Sequence, residues 1–305
     1  MRRILVTGAR GFVGGHLVPV LREAFPGAEL LTPSFDLRDA GAVEAAVVLH
    51  KPDGCVHLAG VAAVAEARSD PDRAWDVNLH GTLRLARALL RHAPGCRLVF
   101  AGSADSYGAT FRRGTPLGED APLAPLNTYA ATKAAADLAL GAMAADGLHA
   151  VRLRAFNHTG PGQSAAFVVP AFARQAARIA AGRQPPVLDV GGLDPLRDFG
   201  DVRDVCRAYA ACLRADLQPG EVLNIATGQP RRVGDVLGAV LALAGVDAHP
   251  RSDPARQRPN DIPTAAGDAS RARRLLGWAP TVPWEETLHD VLADWRGRVE
   301  RHEDG

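Results

Sequence analysis

The sequence predicts an α/β fold, a doubly wound parallel sheet carrying a smaller, loop-rich α/β lobe from the second half of the chain. Three observations predict it. Short apolar runs alternate strictly with longer Ala/Leu-rich stretches through the first half, a glycine-rich turn follows the first run, and beyond Phe156 the rhythm breaks into Gly- and Pro-punctuated segments. Strand candidates are Ile4 to Thr7, Glu29 to Thr32, Cys55 to Leu58, Arg97 to Ala101 and Ala150 to Leu153. Between them lie helix candidates at Phe12 to Ala24, Ala40 to Leu49, Pro71 to His92 and Thr128 to Ala145. Right-handed crossovers then leave the doubly wound sheet as the natural topology. Cys55 and Cys96 are placed in strands, as small apolar residues.

The second half offers a helix near Phe167 to Ala181, short strands, and late helices at Val233 to Ala244 and Trp284 to Arg298. Proline clusters at Pro185-Pro186, Pro250, Pro254, Pro259 and Pro263 punctuate it. The expected division is a dinucleotide-binding domain over 1–155 and a mainly substrate-binding lobe over 156–305, with some segments returning to the sheet. That lobe should pack over the carboxyl edge of the strands, where open α/β sheets bind ligands.

Composition narrows the partners. The 305 residues carry 35 Lys+Arg against 34 Asp+Glu, a formal net charge of +1, with basic residues scattered rather than gathered into a stripe, so nucleic acid is not expected. The N-terminal apolar run is too short for a signal-peptide core, and no stretch of about 18 apolar residues follows. A cytoplasmic protein with no membrane partner is the expectation. Four cysteines without a Cys-x-x-Cys pair, and ten histidines without His-Glu-x-x-His spacing, imply neither disulfide nor metal site. His57 reads as a core or surface residue.

Gly8-Ala9-Arg10-Gly11-Phe12-Val13-Gly14 follows the first strand and opens the first helix. Glycines there permit a tight turn and close approach to a pyrophosphate, and the helix N-terminus offers free amides to anionic oxygens. The second strand ends without the acid that would receive an adenosine ribose, so a 2′-phosphate would not be repelled; Arg10 is either its partner or a solvated surface charge. Asp36, in Asp36-Leu37-Arg38-Asp39, can meet the adenine edge, while Asp39 can cap the following helix. Tyr129 and Lys133 stand four apart, on one helix face, and a lysine ammonium can stabilise a phenolate. Ser103 lies past the fourth strand, on the same edge as the glycine turn.

Together the Gly-x-x-Gly-x-x-Gly turn, Ser103 and Tyr129-x-x-x-Lys133 resemble the extended short-chain dehydrogenase/reductase family, also known as the NAD-dependent epimerase/dehydratase family, over essentially the whole chain. The resemblance implies a Rossmann domain, a catalytic triad of Ser103, Tyr129 and Lys133, and a cofactor turn of Gly8, Arg10, Gly11, Phe12, Val13 and Gly14. It further implies cofactor contacts from Asp36, Leu37, Leu58, Ala59, Gly60, Asn78, Phe156 and His158, besides Tyr129 and Lys133. Leu58-Ala59-Gly60 can equally be a plain strand end, and Asn78 a helix-bend satisfier. Substrate contacts are implied for Ser103, Asp105, Tyr129, Asn157, Val168, Arg197 and Arg258, the two arginines meeting a diphosphate unless they are surface ion-pair partners.

Asn157-His158-Thr159-Gly160-Pro161-Gly162-Gln163, Asn224-Ile225-Ala226-Thr227-Gly228 and Gly277-Trp278-Ala279-Pro280 are most similar to members acting on GDP-linked 4-keto-6-deoxyhexoses. The implied reaction is reduction of the 4-keto group, GDP-4-keto-6-deoxy-D-mannose to GDP-D-rhamnose, with NADP(H) preferred and NAD(H) the alternative. Asp105 stands two residues after Ser103, where dehydratases of the family place an acidic base, so a 4,6-dehydratase or epimerase is the rival reading. A non-catalytic dinucleotide sensor would have no use for the triad. The resemblance also implies a homodimer, paired through the helices containing Asp76 to His92 and Thr128 to Ala145.

Overall fold

The computed structural model describes residues 1–256 and 262–302. In chain order its strands are β1 (Arg3–Thr7), β2 (Glu29–Leu31), β3 (Gly54–His57), β4 (Arg97–Ser103), β5 (Ala150–Ala155), β6 (Asn157–Thr159), β7 (Val187–Val190), β8 (Leu196–Asp201), β9 (Glu221–Ile225), β10 (Pro230–Arg232), β11 (His249–Ser252) and β12 (Thr264–Ala265). Its α-helices are α1 (Phe12–Ala24), α2 (Ala40–His50), α3 (Val64–Ser69), α4 (Pro71–Trp75), α5 (Thr82–His92), α6 (Thr128–Met143), α7 (Val168–Ala180), α8 (Val202–Arg214), α9 (Val233–Ala244), α10 (Ser270–Leu276) and α11 (Trp284–Glu300). A π-helical turn spans Asp76–Gly81 and a 3₁₀ segment Ala104–Arg113.

Among the described residues, six strands form one parallel sheet in the order β2-β1-β3-β4-β5-β9. Alternation along each strand sends its side chains to opposite faces. Ile4, Val6, Val56, Val99 and Val151 thus pack with Leu17 and Leu21 of α1 and Val205 and Cys206 of α8. Leu5, Cys55, Leu98 and Phe100 meet Val43 and Val47 of α2, Leu85 and Leu89 of α5, and Ala136 and Leu140 of α6 on the other side. Apolar runs without polar alternation are what a sheet covered on both faces requires. Each fully buried Leu, Val or Ile contributes about 1.5–3 kcal/mol. Strand order reverses between β1 and β3, and the crevice for a ligand opens at the carboxyl ends of those two strands.

A second core joins α7, α9 and α11 to β7, through Val169, Phe172, Leu188, Leu237, Val240, Val291, Leu292 and Trp295. Between the two cores β8 pairs with β6, β10 and β12. Both β9 and α8 come from the second half of the chain, β9 as the sixth strand of the large sheet and α8 packed on one of its faces.

Three local expectations are corrected. The single helix expected over Pro71 to His92 is broken into α4, the π turn and α5, because the wider turn lets the buried Asn78 side chain bond outward to Val61 and Thr132. Cys96 is buried one residue ahead of β4, not within it. Helix α8 was not anticipated, although Asp201 caps it through the Arg203 amide (2.7 Å) and Val202, Val205, Cys206, Tyr209, Cys212 and Leu213 recur at helical spacing.

The helix carrying Tyr129 and Lys133 is anchored from below by buried charge. Asp137, one turn past Lys133, accepts from Arg154 of β5 through Nε (3.0 Å) and one terminal nitrogen (2.8 Å). The other terminal nitrogen of Arg154 donates to the Tyr107 hydroxyl (3.0 Å) and the Glu119 carbonyl (2.9 Å), and Tyr107 donates onward to Asn224 (2.7 Å). Arg152 adds a second cation beside Asp137 at 3.0 Å. Asp137→Ala leaves two buried guanidiniums without their carboxylate and should cost about 3–5 kcal/mol of unfolding free energy, read from urea titration. A loss under about 1 kcal/mol would show that solvent, not Asp137, neutralises Arg154.

Candidate active site

The chain leaves β1 at Thr7 and turns through Gly8 at φ +72°, a conformation that favours glycine. Space dictates the same residue: a Cβ on Gly8 would lie 2.7 Å from the Ala59 amide nitrogen, and one on Gly14 would lie 2.4 Å from the Gly8 carbonyl oxygen. The turn closes with the Gly11 amide donating to Gly8 (3.0 Å), and Gly11 caps α1 without any side-chain hydrogen bond or first-turn acid. The first amides and the positive end of the helix dipole are left facing the crevice. This cradle fits a dinucleotide pyrophosphate. Leu58, Ala59 and Gly60 form its opposite wall, where Gly60 lies against the Asn78 side chain. Arg10 is exposed beside the turn.

Asp36 is exposed, and Arg38 grips both its oxygens (2.7–3.1 Å), which holds the carboxyl down at about 2. Its charge is therefore balanced where an adenosine would lie. Leu37 is buried under the π turn, and Asp39 caps α2 through the Ala42 amide, as expected.

Pairing of β4 with β5 runs as far as Ser103 opposite Ala155, which fixes Ser103 at the strand's carboxyl end. Helix α6 starts at the Asn127 cap and delivers Tyr129 to the Ser103 hydroxyl, with which the phenol hydrogen-bonds. Burial, and then the negative charge of Asp105, push the phenol up to about 12, against the pull of the Ser103 hydrogen bond. Lys133 is 6% exposed, donates to the Ala101 carbonyl (2.9 Å) and lies over the Phe100 ring at 5.1 Å; burial lowers its ammonium to about 8. The expected lowering of the phenol by Lys133 is thus not what this arrangement does. Burial dominates both groups and drives each toward its neutral form.

The segment after β5 closes the site on the α1 side. His158 stacks on Phe12 (6.3 Å between centroids, 10° between planes) and donates from Nδ1 to the Phe156 carbonyl (2.9 Å), while His16 bonds the Pro161 carbonyl (2.8 Å). Val13 lies on the first turn of α1, its carbonyl met by the Cys206 thiol at 3.7 Å. The Phe156 side chain is core, packed on Tyr107 and Phe111, which leaves backbone as what it presents to a ligand. Asn157 is exposed at the start of β6, and Val168 begins α7. Arg197 lies on β8 and donates to the carbonyls of Leu196 (2.8 Å) and Ile262 (2.7 Å). Arg258 falls outside the described residues.

Sequence reasoning missed two sets of supporting residues. Asp137 continues the Tyr129, Lys133 spacing by a further four residues, a visible signal. His57, set aside as core or surface, is 1% exposed and bonded at both ring nitrogens. Among the described residues, no group of His, Cys, Asp and Glu could hold a metal ion, and no helix is long and apolar enough to cross a membrane.

Comparison with known proteins agrees with this geometry. A GDP-6-deoxy-D-mannose reductase from Pseudomonas aeruginosa is 36% identical over 301 residues, 98% of each chain. The solved structure of RMD from Pseudomonas aeruginosa complexed with NADPH superposes with a TM-score of 0.90 at 33% identity, covering 98% of this chain and all of that one. A UDP-glucose 4-epimerase from Thermus thermophilus, solved with NAD, gives 0.85 at 30% identity over 97% of this chain and 99% of its own. The family model described as GDP-mannose 4,6 dehydratase matches residues 25–291, and the chain belongs to that family, within the extended short-chain dehydrogenases/reductases.

Proposed function

We propose that the protein reduces the 4-keto group of a nucleotide-linked 4-keto-6-deoxyhexose, GDP-4-keto-6-deoxy-D-mannose giving GDP-D-rhamnose. The observation that carries this reading is the Tyr129 phenol hydrogen-bonded to Ser103 beside the dinucleotide cradle, with Lys133 one turn further along the same helix face. A bound reduced nicotinamide supplies the hydride. Tyr129 gives its proton to the oxygen that gains charge, Ser103 hydrogen-bonds the same oxygen, and the Lys133 ammonium stabilises the negative charge as it forms. A phenol near 12 keeps its proton across the working range, which suits a donor better than a base. Asn157, Val168, Arg197 and Arg258 are the substrate-side residues, with the two arginines assigned to the diphosphate. The GDP-6-deoxy-D-mannose reductase similarity supports this choice of sugar.

NADPH is proposed over NADH, since β2 ends at Leu31 without an acid, Arg38 balances the charge of Asp36, and Arg10 stands exposed at the turn. Incubated with NADPH and a panel of nucleotide 4-keto-6-deoxy sugars, the protein should oxidise NADPH fastest with the GDP-linked one. Arg10→Ala should weaken NADPH binding much more than NADH binding. No oxidation with any sugar, or equal losses for the two cofactors, contradicts the respective assignment. The dehydratase or epimerase reading is favoured by one observation, Asp105 acting on Tyr129; it requires oxidised cofactor to survive purification in the protein.

A homodimer through α5 and α6 is part of the proposal. Leu138 is 59% exposed, and Leu79, Leu83, Leu90, Ala131, Ala135 and Ala142 stay partly or fully uncovered beside it. Ala86 of α5 is buried against the sheet and takes no part in that surface. Sedimentation at micromolar concentration should give twice the chain mass, and Leu138→Glu should give a monomer; a wild-type monomer defeats this pairing.

Tyr129→Phe should cut turnover by about 10²- to 10⁴-fold with NADPH binding retained. Lys133 is charged below about pH 8 and neutral above it, so the wild-type kcat/KM should fall as pH rises through about 8. Retention of a tenth of the rate by the variant, or a wild-type profile flat to about pH 10, would remove the respective role.

A further inference from the structure

His57 ends β3 beneath the crevice, out of reach of a ligand, yet both its ring nitrogens are committed. Nδ1 lies 2.6 Å from the Thr7 hydroxyl and Nε2 lies 3.0 Å from the Thr82 hydroxyl. Hydrogen counting fixes the direction of each bond. Thr82 spends its one hydroxyl proton on the Asn78 carbonyl (2.7 Å), so it accepts from His57, and Nε2 carries the ring proton. Burial pulls the imidazole down to about 3 and keeps it neutral; Nδ1 is then bare and accepts the Thr7 proton. Thr7 in turn accepts from the Ala59 amide (3.3 Å). One directional chain therefore runs Ala59, Thr7, His57, Thr82, Asn78.

Its two ends reach the two halves of the site. Thr7 leads directly into Gly8, and Ala59 is the residue that Gly8 approaches most closely. Asn78 clasps Val61 by two bonds (2.8 and 3.0 Å) and donates to the Thr132 hydroxyl (3.0 Å), which donates to the Tyr129 carbonyl (2.8 Å). All the side chains along it, Thr7, His57, Thr82, Asn78 and Thr132, are at most 3% exposed. Such a chain has no water to replace a lost link.

We propose that His57 is a positioning residue with two separable ends: the Nδ1 end sets the cofactor cradle, and the Nε2 end sets the start of the helix that carries Tyr129 and Lys133. The inference rests on the proposed reductase reading for its turnover arm only. The orphaned groups left by a broken link are what move each half.

The test uses amides that imitate one ring nitrogen each. His57→Asn keeps an acceptor where Nδ1 stood, and His57→Gln keeps an N–H where Nε2 stood. NADPH dissociation constants, kcat, and hydrogen exchange of the α6 amides around Tyr129 are measured on each full-length protein. Gln should raise the NADPH dissociation constant about five- to tenfold with kcat within about threefold. Asn should leave binding near wild type, lower kcat about tenfold or more, and quicken α6 exchange. Thr82→Val, nearly isosteric, should reproduce the Asn result and remains informative if a His57 variant fails to fold. Losses of the same parameter in Asn and Gln, or a Thr82→Val protein with wild-type kcat and exchange, overturn the two-ended role. If no sugar nucleotide is turned over by the wild type, the function assigned above fails, while binding and exchange still decide this proposal.

Discussion

The Arg154–Asp137 pair is the interaction on which the geometry of the site depends. Arg154 is 4% exposed and Asp137 1%, so neither can be satisfied by solvent. Removing two charges from water is expensive, and the cost is offset only because every nitrogen of the guanidinium finds an acceptor, on α6, on Tyr107 or on the Glu119 carbonyl. Those acceptors belong to separate elements. The pair therefore sets how α6 is rotated against β5 and against the 3₁₀ segment that follows Ser103. With α6 rotated differently, Tyr129 and Lys133, on the same helix face as Asp137, would miss the end of β4.

Burial then determines the chemistry. In water a phenol and an ammonium are both protonated at neutral pH, but a site closed by Phe12, His158, Phe100 and α6 penalises charge. Tyr129 keeps its proton more firmly, and Lys133 holds its own less firmly. Asp105 adds to the first effect. A site poised this way gives a proton to an oxygen gaining negative charge, which is the direction of a carbonyl reduction.

Much of this was legible in the chain. Phe12–Ala24 and Val233–Ala244 match their expected limits, because apolar periodicity and flanking glycines mark both. The glycine turn and the Ser103, Tyr129, Lys133 set could be read because each depends on a local spacing on an element of known direction. Long-range polar partners could not. Nothing local to Arg154 tells that its carboxylate is Asp137, and nothing in Cys55-Val56-His57-Leu58 tells that the imidazole bridges Thr7 and Thr82. The break in the helix after Trp75 also arises from a distant partner, since Asn78 turns toward Val61 and Thr132. Helix α8 is a different case: its cap at Asp201 and its apolar period are both local to the chain.

In the proposed reaction hydride leaves the cofactor for good and the proton comes from Tyr129. The most direct measurement follows deuterium from the transferable position of labelled NADPH, with GDP-4-keto-6-deoxy-D-mannose as acceptor. Deuterium should appear at carbon 4 of the sugar, with one NADPH oxidised per sugar reduced. Sugar converted without deuterium at that carbon, and without net oxidation of NADPH, would contradict it and place the protein with the enzymes that return their hydride.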